Sequence, residues 1–521
     1  MAQTSSTKQT RAAPVPVENV SSLCIIAGCA LHQTGMAVTN IKSLVEEARI
    51  VAASAADYAG SLTHPTLRLG VTGLSRSGKT VFITALVHNL LHGGRLPMFR
   101  PLAQGRIARA YLAPQPDDAV PRFDYEAHIA ALTGDRVWPQ STRSISQLRL
   151  TVEYEPVGVL SRLTGAGRLS IDIVDYPGEW LLDLPLLGLN YADWSAKTLG
   201  LSRGRPRAPL AGKWHEALAR LDPAAEAAEA DAIASARAFT EYLRACRQTQ
   251  VSLSTLPPGR FLMPGDMEGS PALTFSPLEK PESGPPGQTS LWAMMERRYE
   301  AYKTHVVRPF FRDHFARLDR QIVLVDTLAA MNAGAGAVAD LELALGDILT
   351  AFRPGRRSRL ARIFRPRIDR ILFAATKADH LHQSSHDRLE AVLRLLTETA
   401  ATRAEFAGAD IASLALASVR ATREAKVSRG REMLPAIVGT PVKGETIAGE
   451  IFDGRTEAAI FPGDLPADPK ALISENLPQG EVTRFVRFRP PALETGPAGT
   501  PVLPHIRLDR ALDFLIGDRL A

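Results

Sequence analysis

The chain has 521 residues, 45% hydrophobic and 22% charged, which is enough for two to four domains with sizeable cores and excludes a wholly disordered polymer. Three cysteines, Cys24, Cys29 and Cys246, show neither a disulfide framework nor zinc spacing, so a reducing, cytoplasmic compartment is expected. The formal charge of +6 permits an anionic partner without requiring one, and no sequence-specific nucleic-acid binding is expected.

In chain order, residues 1–36 are rich in Ser, Thr and Ala and read as a disordered extension. Their apolar run, residues 23–31, is far shorter than the roughly 20 residues of a membrane span, so no transmembrane segment is expected. "TLRLGVTG" alternates Leu67, Leu69 and Val71, which predicts a strand, and "GLSRSGKT" follows. This stretch, Gly73 through Ser75, Arg76, Ser77 and Gly78 to Lys79 and Thr80, matches G-x-x-x-x-G-K-[ST]. Val81, Phe82, Ala85, Leu86, Leu90 and Leu91 then recur at helical spacing until Gly93 and Gly94. Strand, loop and helix in this order make a phosphate cradle. Backbone N–H groups and the helix N-terminus face the anion, Lys79 reaches the β- and γ-phosphates, and the Thr80 hydroxyl ligates Mg²⁺.

A buried strand through Ile171, Ile173 and Val174 ends at Asp175, and Asp175-Tyr176-Pro177-Gly178 gives D-x-x-G. Asp175 is placed to hold Mg²⁺ through water and the Gly178 N–H to meet a γ-phosphate. Residues 213–249 and 290–319 read as helical, with breaks at Pro223 and Pro309 and proline- and glycine-rich loops between. Trp292, Met294, Met295, Phe310 and Phe311 read as the core of that insertion rather than as a ligand box. The strand at residues 321–328 carries Asp326, read as a structural strand-end residue. Residues 353–370 hold eight arginines, a solvated loop or a peripheral contact with anionic surfaces.

The strand at residues 370–381 ends in Thr376-Lys377-Ala378-Asp379, a [NT]-K-x-D pattern. Asp379 is the acceptor expected for guanine N1–H and its exocyclic amine, with the Lys377 stem covering the ring. A last strand leads to Ser418-Val419-Arg420, where a backbone N–H near Val419 meets guanine O6 and Arg420 stacks on the base. Residues 427–490 look β-rich, and a final helix spans about 507–517. These motifs follow the order of Ras-like GTPases, with ligands at the carboxyl ends of parallel strands.

The stretches "LGVTGLSRSGKTVFITALVHNLLHGGRLP", "WPQSTRSISQLRL", "DYPGEWLLDLPLL", "RFLMPGDMEGSPALTFSPL" and "LFAATKADHLH" closely resemble the YcjX-like P-loop proteins. The resemblance runs from about residue 37 to the end. It implies a bacterial, stress-associated, cytosolic protein that binds GTP and hydrolyses it slowly. In the segment that resembles switch I, Thr142 is the candidate to meet Mg²⁺ and the γ-phosphate. Arg143 is either an in-cis arginine finger or a surface charge. Glu179 replaces the glutamine that follows D-x-x-G in small GTPases. An ionised carboxylate there is repelled by phosphate unless it is screened, so low turnover is expected.

The expected fold class is therefore α/β: a Ras-like P-loop NTPase core of mostly parallel sheet flanked by helices, with a helical insertion and a small β-rich C-terminal appendage. The expected divisions are residues 1–36, the extension; 37–185, the first part of the GTP-binding domain; 186–320, the helical insertion; 321–425, the second part; and 426–521, the appendage with its final helix. A GTP-dependent switch signalling to an unidentified protein through the insertion leads. An ATPase that assists protein remodelling and a non-catalytic nucleotide-bound scaffold are the alternatives.

Overall fold

The computed structural model describes residues 65–74, 76–140, 144–157, 166–248, 254–281, 286–350, 368–406, 408–429, 432–447, 449–472, 485–494 and 500–521. The N-terminal extension, Ser75, Thr142, Arg143 and most of the arginine run lie outside them.

The α-helices of seven or more residues are labelled with the strands in chain order. The first half runs β1 (Thr66–Gly73), α1 (Lys79–Leu91), β2 (Ile107–Ala113), β3 (Ser146–Tyr154) and β4 (Gly167–Asp175). Between β4 and the next strand come α2 (Tyr191–Arg203), α3 (Ala208–Leu218), α4 (Glu229–Gln248) and α5 (Leu291–Tyr302). The sheet resumes with β5 (Arg320–Val325), followed by α6 (Thr327–Ala333), α7 (Ala335–Thr350), β6 (Arg370–Ala375), α8 (His386–Phe406) and β7 (Asp410–Ala415). The C-terminal part holds β8 (Arg423–Arg429), β9 (Glu432–Gly439), β10 (Thr446–Ile447), β11 (Glu450–Ile451), β12 (Ala458–Ile460) and α9 (Leu508–Ile516).

The main sheet has the order β2-β3-β4-β1-β5-β6-β7. The five strands from β4 to β7 are parallel, and β3 runs antiparallel to both its neighbours. Parallel strands are covered on both faces, which is why β5 is buried at every position. Alternation along β6 sorts the two faces. Leu372 and Ala374 join α1 and α9 through Phe82, Leu86 and Leu512, while Ile371 and Phe373 join α7 and α8 through Leu341 and Leu393. This mixed α/β core, with Lys79 opening the helix after β1 and a small C-terminal β-sheet, is consistent with a P-loop NTPase fold.

The helices between β4 and β5 share a third core rich in aromatic rings, including stacked pairs Trp194–Tyr299 and Trp214–Tyr242. Trp292, Met295 and Phe310 are buried in it, and Met294 and Phe311 pack against it. The sequence reading put a helix break at Pro309. The interruption instead falls at a wide turn, Lys303–Val307, and Pro309 sits in the first turn of the short helix Arg308–Asp313. Proline tolerates that position because its missing N–H would have had no helical acceptor, and the wide turn makes room for its ring.

In the C-terminal part β12, β9 and β8 form an antiparallel sheet, and β10–β11 is a two-stranded ribbon. The span expected to be β-rich, residues 427–490, corresponds to β8–β12, and no strand follows Ile460 among its described residues. Residues 485–490 run extended, with one bridge between Pro441 and Phe488.

Candidate functional site

Strand register aligns the carboxyl ends where the motifs sit. Val71 pairs with Asp175, Gly73 with Leu324, Val325 with Ala375, and Ala375 with Ala415. The loop after β1 therefore emerges from the middle of the sheet, flanked by Asp175 on one side and by the loops after β5, β6 and β7 on the other.

Within the loop, Gly78 takes a left-handed φ of 87° as the N-cap of α1, and Arg76 is also left-handed at 63°. The Lys79 ammonium donates to the Gly73 carbonyl at 2.8 Å, which holds it over the loop. The Thr80 hydroxyl faces the Gln140 carbonyl at 3.4 Å. Ser77 is buried, and its hydroxyl oxygen makes no hydrogen bond among the described residues. Thr80 and the buried Asp175 offer a hydroxyl and a carboxylate across adjacent elements. That hard-oxygen set suits a small divalent cation such as Mg²⁺, which otherwise keeps water and phosphate oxygens as ligands.

Gly178 packs directly on the loop. A Cβ there would lie 1.8 Å from the Gly73 carbonyl oxygen, so only glycine fits. The next residue, Glu179, is buried, and its Oε1 is 3.2 Å from an Arg247 nitrogen near the end of α4. Gly259 repeats the close approach one layer out, since a Cβ on it would lie 1.8 Å from the Glu179 carbonyl oxygen. The Gly259 N–H donates to Asp183 at 2.7 Å, and the Tyr302 hydroxyl donates to the other Asp183 oxygen at 2.6 Å. Burial pushes the Asp183 carboxyl up to about 6, against the lowering effect of these donors. The Arg260 guanidinium lies over the Trp180 ring, 3.3 Å from its centroid. Residues 178–183 are thus gripped by the helical insertion.

On the other side, Lys377 has a left-handed φ of 62°, and its ammonium pairs with Asp326. Asp326 also caps α6 by accepting from the Ala329 N–H at 3.1 Å. Its structural role therefore includes fixing Lys377. Thr376 donates its N–H and hydroxyl to the Val325 carbonyl, at 2.9 and 3.3 Å. Asp379 is 3% exposed, and one carboxylate oxygen accepts from the Ala421 N–H at 2.8 Å. The Thr422 hydroxyl donates to the Asp379 carbonyl oxygen at 2.5 Å, so the loops after β6 and β7 form one unit. Arg420 Nε donates to the Thr422 carbonyl at 2.9 Å, and its guanidinium lies 3.6 Å from Glu424.

A cavity of about 700 Å³ brings these parts together. It is lined by the loop and helix start at residues 76–81, by Thr376, Lys377, Asp379 and His380, and by residues 417–419. Asp175, Gly178, Glu179 and Arg420 are not part of its lining. The remaining wall consists of residues 136–139 and of C-terminal residues 442–443, 453–455 and 487–490. Within that wall Asp453 accepts from the Arg455 and Thr456 N–H groups and the Thr456 hydroxyl, which hold its carboxyl down to about 2.

Sequence reasoning missed Arg247 and the C-terminal wall. Arg247 is one arginine among several in an amphipathic helix, and "RFVRFRPP" carries no periodic signal for the bridge it makes.

The YcjX-like family (DUF463) matches residues 67–520. A protein of Escherichia coli (strain K12) named "Ras-like GTPase YcjX" is 40% identical over 467 residues, covering 87% of this chain and 96% of the relative. A protein of the same name from Shewanella oneidensis is 35% identical over 491 residues, covering 88% and 96% respectively. With a nucleotide-binding P-loop opening α1 and a family match from β1 to the last turn after α9, this chain belongs to the YcjX-like family.

Proposed function

We propose that the protein is a guanine-nucleotide-binding switch that hydrolyses GTP slowly. The observation that carries this reading is the shared cavity, in which the Lys79 loop, Asp379 and Ser418-Val419 all face one volume of about 700 Å³. That size is in the range of small-molecule sites. A phosphate cradle alone suits any nucleoside triphosphate, whereas a buried carboxylate on the base side favours the N1–H and amine donors of guanine. The printed name of the two curated relatives points the same way.

Lys79 screens the phosphate charges, and the N-terminal amides of α1 receive their oxygens. Thr80 and Asp175, with Thr142 outside the described residues, are the ligands proposed for Mg²⁺. Bound there, the ion would supply positive charge against the phosphates. Glu179 orients the attacking water, and Arg247 balances its charge. Arg143, also outside the described residues, remains the proposed in-cis finger. The contacts of residues 178–183 with the insertion supply a route by which the γ-phosphate state reaches a protein partner.

Two measurements test this. GTP displaces radiolabelled GDP and ATP does not, and a single turnover of bound GTP releases phosphate. Equal displacement by ATP refutes the guanine assignment, and absence of phosphate release refutes hydrolysis.

A further inference from the structure

The wall contributed by residues 136–139 and the C-terminal part is a hydrogen-bonded collar rather than a loose flap. The Trp138 indole N–H donates to the Phe488 carbonyl at 2.6 Å, and Arg136 Nε donates to the Pro490 carbonyl at 3.1 Å. Arg489 reaches in the opposite direction. Its guanidinium donates to the Gly454 carbonyl at 3.1 Å and to the carbonyls of Asp135 and Arg136 at 3.3 and 3.4 Å. Its own N–H donates to the Thr440 carbonyl at 2.8 Å, which ties residues 485–490 to the end of β9.

The collar is anchored at both ends to the cavity's chemistry. The Phe488 ring meets His380 edge-on, with centroids 5.3 Å apart, and His380 directly follows Asp379. Phe488 is 1% exposed and packs where a Cβ on Gly439 would lie 2.8 Å from its ring. At the other end Gln140 presents its carbonyl to the Thr80 hydroxyl. One chain of contacts therefore runs from the base side, through Phe488, Trp138 and Gln140, to the phosphate side.

We infer that the C-terminal β-unit is the retaining wall of the nucleotide site, and that Trp138 and Arg489 are positioning residues that set how long a guanine nucleotide stays bound. The inference rests on the guanine-nucleotide reading above and extends it. A bound nucleotide lies between the P-loop and the collar, so it leaves when the contacts between residues 135–138 and residues 488–490 open. Opening breaks interactions between protein groups and leaves Lys79 and Asp379 in place. Weakening the collar therefore raises the dissociation rate, and because entry uses the same opening, association rises with it.

The test uses the full-length chain loaded with tritium-labelled GDP and chased with excess unlabelled GDP. Trp138→Phe keeps an aromatic ring but loses the N–H donor. Arg489→Ala loses three donated bonds, and Arg489→Lys restores a cation that reaches the same carbonyls. A single neutral hydrogen bond such as that of Trp138 is a factor of about three to ten, and the charge-assisted bonds of the Arg489 guanidinium are stronger, so release is expected up to about ten-fold faster in Trp138→Phe and at least ten-fold faster in Arg489→Ala. Arg489→Lys is expected to lie closer to wild type, and the melting temperature of nucleotide-free protein is expected to stay the same. Release at the wild-type rate in both variants overturns the inference. So does faster release that tracks a fall in the nucleotide-free melting temperature, because that is general loosening. A wild-type chain that retains no GDP overturns the guanine reading itself, and the inference with it.

Discussion

Arg247 stands 3.2 Å from Glu179, bringing an arginine from a helix of the insertion to the residue that follows D-x-x-G. Glu179 is nearly enclosed, and its backbone touches Gly259 on one side while its neighbour Gly178 touches Gly73 on the other. A carboxylate so close to a phosphate loop is unfavourable unless a cation accompanies it. Arg247 is that cation, and it belongs to the insertion rather than to the sheet domain.

Removing it exposes the conflict. In Arg247→Ala the Glu179 charge faces a triphosphate with less screening, so affinity for a non-hydrolysable GTP analogue is expected to fall by about ten-fold, near 1.4 kcal/mol. GDP lacks the γ-phosphate and is expected to change by much less. Adding Glu179→Gln to this variant removes the offending charge and is expected to restore triphosphate affinity. Calorimetric titration of the two single variants and the double variant gives the coupling energy, and a value of zero removes Arg247 from this role.

Lys79→Ala is expected to abolish binding of both GDP and GTP. Lys79 is the lysine of the loop, and its ammonium sits over the Gly73 carbonyl. Losing a charge-assisted contact to several phosphate oxygens costs about 3 kcal/mol, or more than a hundred-fold in affinity. Equilibrium dialysis with GDP measures this directly, and wild-type affinity in the variant moves Lys79 out of the phosphate site.

Asp183 gives the grip of the insertion a pH signature. Burial raises its carboxyl from 3.8 to about 6. Between about pH 4 and 6 the folded chain keeps a proton there that the unfolded chain has lost. This group's contribution to stability is therefore greatest near pH 4 and falls as pH rises to 6, by on the order of 3 kcal/mol. Asp183→Asn is neutral throughout and is expected to lack that slope. Urea unfolding of both proteins from pH 4 to 7 checks it, through the difference between wild type and variant at each pH. A difference that does not change with pH shows that Asp183 does not titrate in this window.

Much of the sheet, and the place of the motifs at its strand ends, was legible in the sequence because it is written locally. Alternation before Gly73, the spacing of Phe82, Leu86 and Leu90, and the apolar runs before Asp175 and Thr376 each place a motif at a strand end. What stayed hidden joins distant segments. Nothing near Glu179 names Arg247, and nothing near Trp138 names Phe488, since one hydrogen bond between loops imposes no period on either. The partners of Arg420 were hidden for a related reason. Its place after β7 suits a base contact, and the carbonyl of Thr422 and the carboxylate of Glu424 lie within its reach. The edge strand β2 and the wide turn ahead of Pro309 were missed as well, because exposed edges and helix irregularities leave weak patterns.

Asp379→Asn tests base selection most directly. One Asp379 oxygen already accepts from the Ala421 N–H at 2.8 Å, which binds the loops after β6 and β7 together. Asparagine keeps a carbonyl oxygen for that bond, so the loops are expected to hold and the melting temperature to change little. Its amide then turns toward the base, where wild type presents an acceptor. Guanine meets a donor facing its own donors and loses a charge-assisted bond, which contributes about 1.5–3 kcal/mol, so GTP affinity is expected to fall roughly ten- to hundred-fold. Xanthine carries a carbonyl where guanine carries the amine, and that carbonyl accepts from the new amide. The variant is therefore expected to gain xanthosine triphosphate as it loses GTP, while ATP stays weak for both proteins. Titration of all three nucleotides against wild type and variant decides the matter, and GTP affinity kept in the variant with no gain for xanthosine triphosphate places Asp379 outside the base contact and leaves it as the tie between two loops.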